Sequence, residues 1–81
     1  MSLKIINLDR LPLGSKGEIV SLDIQGPIRR RLLDLGFIPG SAVKTYLKSP
    51  SGDPMAFRIK NSIISLRCED ASRISILYKS H

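Results

Sequence analysis

Three side chains able to hold a metal or a proton stand together at Cys68-Glu69-Asp70, and one imidazole, His81, ends the chain. A transition-metal site needs several oxygen, nitrogen or thiolate ligands converging at fixed spacing. A single cysteine and a single histidine offer no such spacing. Cys68 also shares its alternation with Ile64 and Leu66, where a small core residue belongs. No metal-ligating residue is therefore assigned. Nucleophilic catalysis fares worse, because His81 is terminal and forms no nucleophile–base pair. Gly36 to Gly40 lacks the Lys-Ser/Thr of a phosphate-binding loop. The chain reads as a non-enzyme.

The chemistry that remains is cationic. Thirteen Lys and Arg face seven Asp and Glu, a net charge of +6, which points to nucleic acid, a membrane surface or an acidic protein face as partner. Only Phe37, Tyr46, Phe57 and Tyr78 are aromatic, a thin platform for stacking single-stranded bases. Arg29, Arg30 and Arg31 fall in the first turn of a predicted helix, where the dipole favours anions, and Asp34 falls near its end, where cations belong. Each misplacement costs about 0.3 to 1 kcal/mol at an exposed site. A solvated face explains such a run; so does a contact surface, since a local rule broken without compensation marks function. Guanidinium forks there would form charge-assisted hydrogen bonds with acidic groups. Phe37 and Ile38, just past the helix, either cap the core or project outward. The candidate partner-binding set is Arg29, Arg30, Arg31, Phe37 and Ile38.

The elements that position these residues are read from periodicity. Pro27 suits a first helical position and Gly36 the left-handed position past the end, so a helix spans about 27–35. At 100° per residue Ile28, Leu32 and Leu35 fall together on the core side, Leu33 and Arg29 flank them, and Arg30, Arg31 and Asp34 face away. Leu8 and Leu11 predict one helical turn. Val20, Leu22 and Ile24 alternate as the inward face of a first strand. Val43, Thr45 and Leu47 do the same in a second, and Met55, Phe57 and Ile59 in a third across a hairpin loop at 49–53. Asn61-Ser62 forms the next turn, with Asn at positive φ. Ile64 and Leu66 then point inward and Ile63 outward, and Ile74, Ile76 and Tyr78 line a last strand. Lys44, Lys48, Arg58, Lys60, Arg67 and Arg73 lie outward as solubility charges. Five short strands with one helix between the first two suggest a small barrel, since closure removes edges.

Eighty-one residues make one domain, 1–81, near the lower limit for a core without staples. One cysteine forbids an intramolecular disulfide and suits a reducing cytoplasm. Met1 to Ile6 has no leader-like apolar region, and no apolar run approaches the roughly 18 residues of a membrane span.

Several segments in order carry a family likeness: Leu11-Pro12-Leu13-Gly14 with Gly17-Glu18-Ile19; Arg31-Leu32-Leu33-Asp34-Leu35-Gly36-Phe37-Ile38-Pro39-Gly40-Ser41; Gly52-Asp53-Pro54; Ser65-Leu66-Arg67; and Ala71-Ser72-Arg73-Ile74. Over almost its whole length the chain resembles ferrous iron transport protein A, the FeoA family. Asn61 replaces the glycine frequent in that family before the Leu-Arg strand. The outward Ile63 stands where a polar residue is expected, as a contact or rim residue. The resemblance implies a mainly β, SH3-like five-stranded barrel with one α-helix. It also implies a cytoplasmic accessory to the membrane ferrous iron permease with a GTPase domain, FeoB, and possible weak binding of Fe2+ or Zn2+ without a firm cofactor. The expected role is a protein-interaction module recognising an extended or proline-containing segment. The alternatives are a basic nucleic-acid-binding barrel and a metal-sensing module, since a similar domain ends some metal-dependent repressors.

Overall fold

The computed structural model describes residues 2–80, so Met1 and His81 lie outside the described residues. Six strands form one antiparallel sheet: β1 (Ser2–Asn7), β2 (Lys16–Leu22), β3 (Ala42–Lys48), β4 (Met55–Ile59), β5 (Ser62–Leu66) and β6 (Ile74–Ser80), in the order β1-β6-β2-β3-β4-β5. Helix α1 (Pro27–Leu35) joins β2 to β3, and a one-turn helix α2 (Cys68–Ala71) precedes β6. The mainly β class holds, with two corrections. Among the described residues the strands number six, and the helix lies between the second and third. The additional strand, β1, pairs along its length with β6, from Ser2 opposite Ser80 to Asn7 opposite Ser75.

The helix ends as its residues dictate. Pro27 takes the first helical position, where no N–H is needed. Gly36, at φ 111°, adopts the left-handed conformation past the end. Its N–H donates to the Leu33 carbonyl at 3.1 Å, and that of Phe37 to the Leu32 carbonyl at 2.9 Å. This pair is the Schellman arrangement, in which the second residue past the helix packs apolar against its last turn. Phe37 and Leu32 are accordingly both buried in the core. Each such burial is worth about 1.5–3 kcal/mol relative to exposure.

Two bulges reset the alternation. The β2–β6 register shifts between Ile19 and Ser21, so Ile19 and Leu22 are buried while Val20 is exposed. The β3–β4 register shifts between Thr45 and Leu47, leaving Val43 and Thr45 inside and Leu47 outside. Val20 and Leu47 are thus corrected from inward to outward, because an extra residue in one strand flips the parity of the residues beyond it. The inward sets of β4 and β6 hold, with Met55, Phe57, Ile59, Ile74 and Ile76 buried and Tyr78 half-buried against the core. Leu8, which opens the 3-10 turn Leu8–Arg10, and Leu11, just past its end, are wholly buried. Thr45, the one buried polar residue among those described, donates its hydroxyl to the Leu11 carbonyl at 3.0 Å. Positive φ between β4 and β5 falls on Lys60, at 53°, and not on Asn61.

Candidate docking groove

Pro27, Ile28, Arg31, Leu32 and Leu35 recur one turn apart along α1 and form one wall of a groove of about 650 Å3. Ile63, Ile64, Ser65, Leu66 and Arg67 form the other, with Asp70 of α2 at one end. Five consecutive residues of an extended segment can line one groove only if it runs along the strand's edge, since neighbours point to opposite faces. β5 is such an edge: its single partner in the sheet is β4. Leu32 and Leu66 are buried floor, whereas Ile28 and Ile63 remain 36% and 51% exposed at the rim. Ile28, expected in the core, is therefore corrected to the groove. Its helical face is right, but burial on that face falls on Leu32, one turn further along.

The arginine run divides. The Arg29 guanidinium donates from Nη1 to the carbonyls of Leu22 at 2.7 Å and Ile24 at 3.4 Å. It fastens the β2–α1 connection, and these charge-assisted bonds offset its unfavourable place at the helix start. Arg29 thus braces this connection while the residue itself remains exposed. Arg30 is exposed outside the groove, whereas Arg31, Arg67 and Asp70 all line it. Phe37 is 0% exposed and is withdrawn from the contact surface, as its packing after the helix requires. Ile38 is exposed but does not line the groove. The sequence places Ile28, Leu32, Leu35, Ile64 and Leu66 on the core side and Arg67 among the solubility charges, whereas all six line the groove. The outward Ile63, four residues before Arg67, is the available signal.

The Cys68-Glu69-Asp70 cluster is dispersed by α2. Half-buried Cys68 donates its thiol to the Gly52 carbonyl at 3.0 Å, and its N–H donates to Asp53 Oδ1, also at 3.0 Å. Asp53, from the β3–β4 loop, thereby satisfies the first amide of the short helix. Glu69 is exposed, and Asp70 lines the groove. Among the described residues no three His, Cys, Asp or Glu side chains converge to hold a metal ion. Burial pushes the Cys68 thiol above its ordinary range; the Asp53 charge and hydrogen bond and the Asp9 charge add to this, against Lys48. A thiol held neutral is a poor nucleophile.

None of the four aromatic residues lines the groove. Proline-rich ligands dock between aromatic rings, whereas an open sheet edge accepts an added strand. The geometry suits an extended segment hydrogen-bonded to β5, with apolar side chains entering between Ile28 and Ile63.

The model of the FeoA domain matches residues 6–77. The chain is 34% identical over 71 residues to a Fe(2+) transport protein A/Fe(2+) transporter FeoB fusion protein of Porphyromonas gingivalis, a match spanning 88% of this chain and 8% of that protein. The solution structure of a FeoA protein from Chlorobium tepidum superposes with a TM-score of 0.87 at 28% identity, over 93% of this chain and 71% of that one. Zinc-complexed FeoA of Stenotrophomonas maltophilia, described as an SH3 domain protein, gives 0.78 at 31% identity over 88% of each chain. With the family model matched over most of its length and the same fold in these relatives, the chain belongs to the FeoA family.

Proposed function

We propose that this chain is a non-enzymatic, cytoplasmic accessory protein of ferrous iron transport that docks on the cytoplasmic part of a FeoB-type permease. The observation that carries this is the fusion relative, in which a segment similar to this chain and a FeoB transporter share one polypeptide. Covalent linkage raises the effective concentration of two parts that otherwise meet by diffusion. The docking surface is the α1–β5 groove. An extended permease segment adds to the edge of β5, buries apolar side chains against Ile28, Leu35 and Ile63, and offers carboxylates to Arg31 and Arg67. Arg30 steers the approach at longer range.

Calorimetric titration of the purified chain with the purified cytoplasmic part of such a permease tests this. Saturable binding is expected, weakened about tenfold by Ile63→Asp, which places an unpaired charge in the contact. Absence of binding at low salt, where charge contacts are strongest, removes the proposal. Undiminished binding by Ile63→Asp moves the contact off the groove.

A further inference from the structure

We propose that the outer face of the sheet is a docking surface for an anionic phospholipid bilayer. The strand register puts like charges directly opposite one another: Lys16 faces Lys44 across β2 and β3, and Lys44 faces Arg58 across β3 and β4. Directly opposed like charges destabilise a sheet. On the other side of Lys16, Lys79 of β6 lines the same shallow depression. A second depression, sharing Lys16 with the first, is lined by Lys44, Arg58 and Lys60. Among the described residues, Glu18 is the only carboxylate in either lining.

Aliphatic side chains border these cations. Leu3 stands opposite Lys79 and Ile5 opposite Leu77, and the two β1 side chains are 62% and 66% exposed. A row of cations edged by exposed aliphatic groups matches a lipid interface: the charges meet the headgroups and the apolar side chains enter the acyl boundary. Lysines suit this because their flexible stems bury while the ammonium stays wet. A protein partner fits less well, since protein interfaces are depleted in lysine, and four of the five cations are lysines. A nucleic acid fits less well because the aliphatic border gives bases no ring to stack on, and Tyr46, two residues from Lys44, is the one exposed aromatic side chain among the described residues. The cationic row meets the groove rim where Arg58 stands opposite Ile63, but it does not rest on the permease-docking reading.

Co-sedimentation of the full chain with vesicles tests the proposal. Binding is expected to vesicles of equal parts phosphatidylglycerol and phosphatidylcholine, absent from phosphatidylcholine alone, and reversed by salt. Lys44→Glu with Arg58→Glu lowers the partition coefficient about tenfold or more. Leu3→Ser with Ile5→Ser lowers it several-fold on the same vesicles, while amide spectra confirm that both double variants are folded. No binding to the mixed vesicles overturns the proposal, as does equal binding by the charge-reversed variant. Displacement of the wild-type chain from the vesicles by single-stranded RNA at equal phosphate concentration also overturns it, in favour of nucleic acid.

Discussion

The two edges of the sheet meet the same difficulty in different ways. β1 and β5 each have a strand partner on one side only, and an unpaired edge is a template for another chain. At β5 a helix lies alongside, so the edge opens into a groove with an apolar floor of Leu32 and Leu66 and with Arg31 and Arg67 lining it. At β1 the flank is the sheet's own outer surface, where Leu3 and Ile5 stand beside lysines. A walled edge selects a shape, whereas an open one adjoining a charged face selects a surface. The helix makes the difference, and the contacts that fix the helix decide whether the β5 edge can discriminate.

The most severe way to erase that difference is to remove the helix's hold on the core. Leu32→Ala deletes a side chain 2% exposed and should cost about 2–4 kcal/mol in urea unfolding, through lost transfer energy and the cavity left behind. Arg29→Ala removes the brace to the carbonyls of Leu22 and Ile24. A loss of about 1–2 kcal/mol is expected by the same measurement, against under about 0.5 for the exposed Arg30→Ala. If the two arginine variants behave alike, the brace is not what holds α1 in place.

At the other edge, Leu3→Ser with Ile5→Ser should shift unfolding by less than about 0.5 kcal/mol, because neither side chain is part of the core. A loss above about 1.5 kcal/mol would mean that β1 contributes packing and not only backbone pairing. The smallest effect lies between the edges, at Cys68. Its folded-state thiol is raised above the unfolded one, so in alkali the unfolded chain gives up its proton first. Stability contributed by this group is complete below the unfolded thiol range and declines as pH rises through the folded one. Alkaline unfolding should therefore be milder in Cys68→Ser, and alkylation of the native thiol slower than that of the urea-unfolded chain; equal alkylation rates contradict the shift.

Much of this architecture is legible in the residues, and the exceptions have physical causes. Pro27 and Gly36 mark both ends of α1, because a missing N–H and a left-handed turn are properties of single residues. β4 and β6 show their inward faces because their alternation runs unbroken. Val20 and Leu47 mislead because a bulge changes parity without changing composition. β1 escapes notice because its clearest apolar residues face outward and its partner lies at the far end of the chain. Asn61 is the residue type that best tolerates positive φ between β4 and β5, yet the turn puts it on Lys60. For the groove, the arginines point to the helix that forms one of its walls. Only the packing separates the bracing Arg29 from Arg31 in the groove, or brings Arg67 across from another element.

Thr45 carries a consequence for motion. Its hydroxyl reaches the Leu11 carbonyl, its N–H donates to the Ser15 carbonyl at 3.2 Å, and its own carbonyl accepts from Gly14 at 2.8 Å. A surface connection would ordinarily fluctuate apart from the strands it joins. With three bonds converging on one buried residue, the segment from Leu11 to Ser15 opens only when the middle of β3 opens. In amide-exchange terms, Gly14 should keep time with Thr45, the loop and the strand forming one cooperative unit.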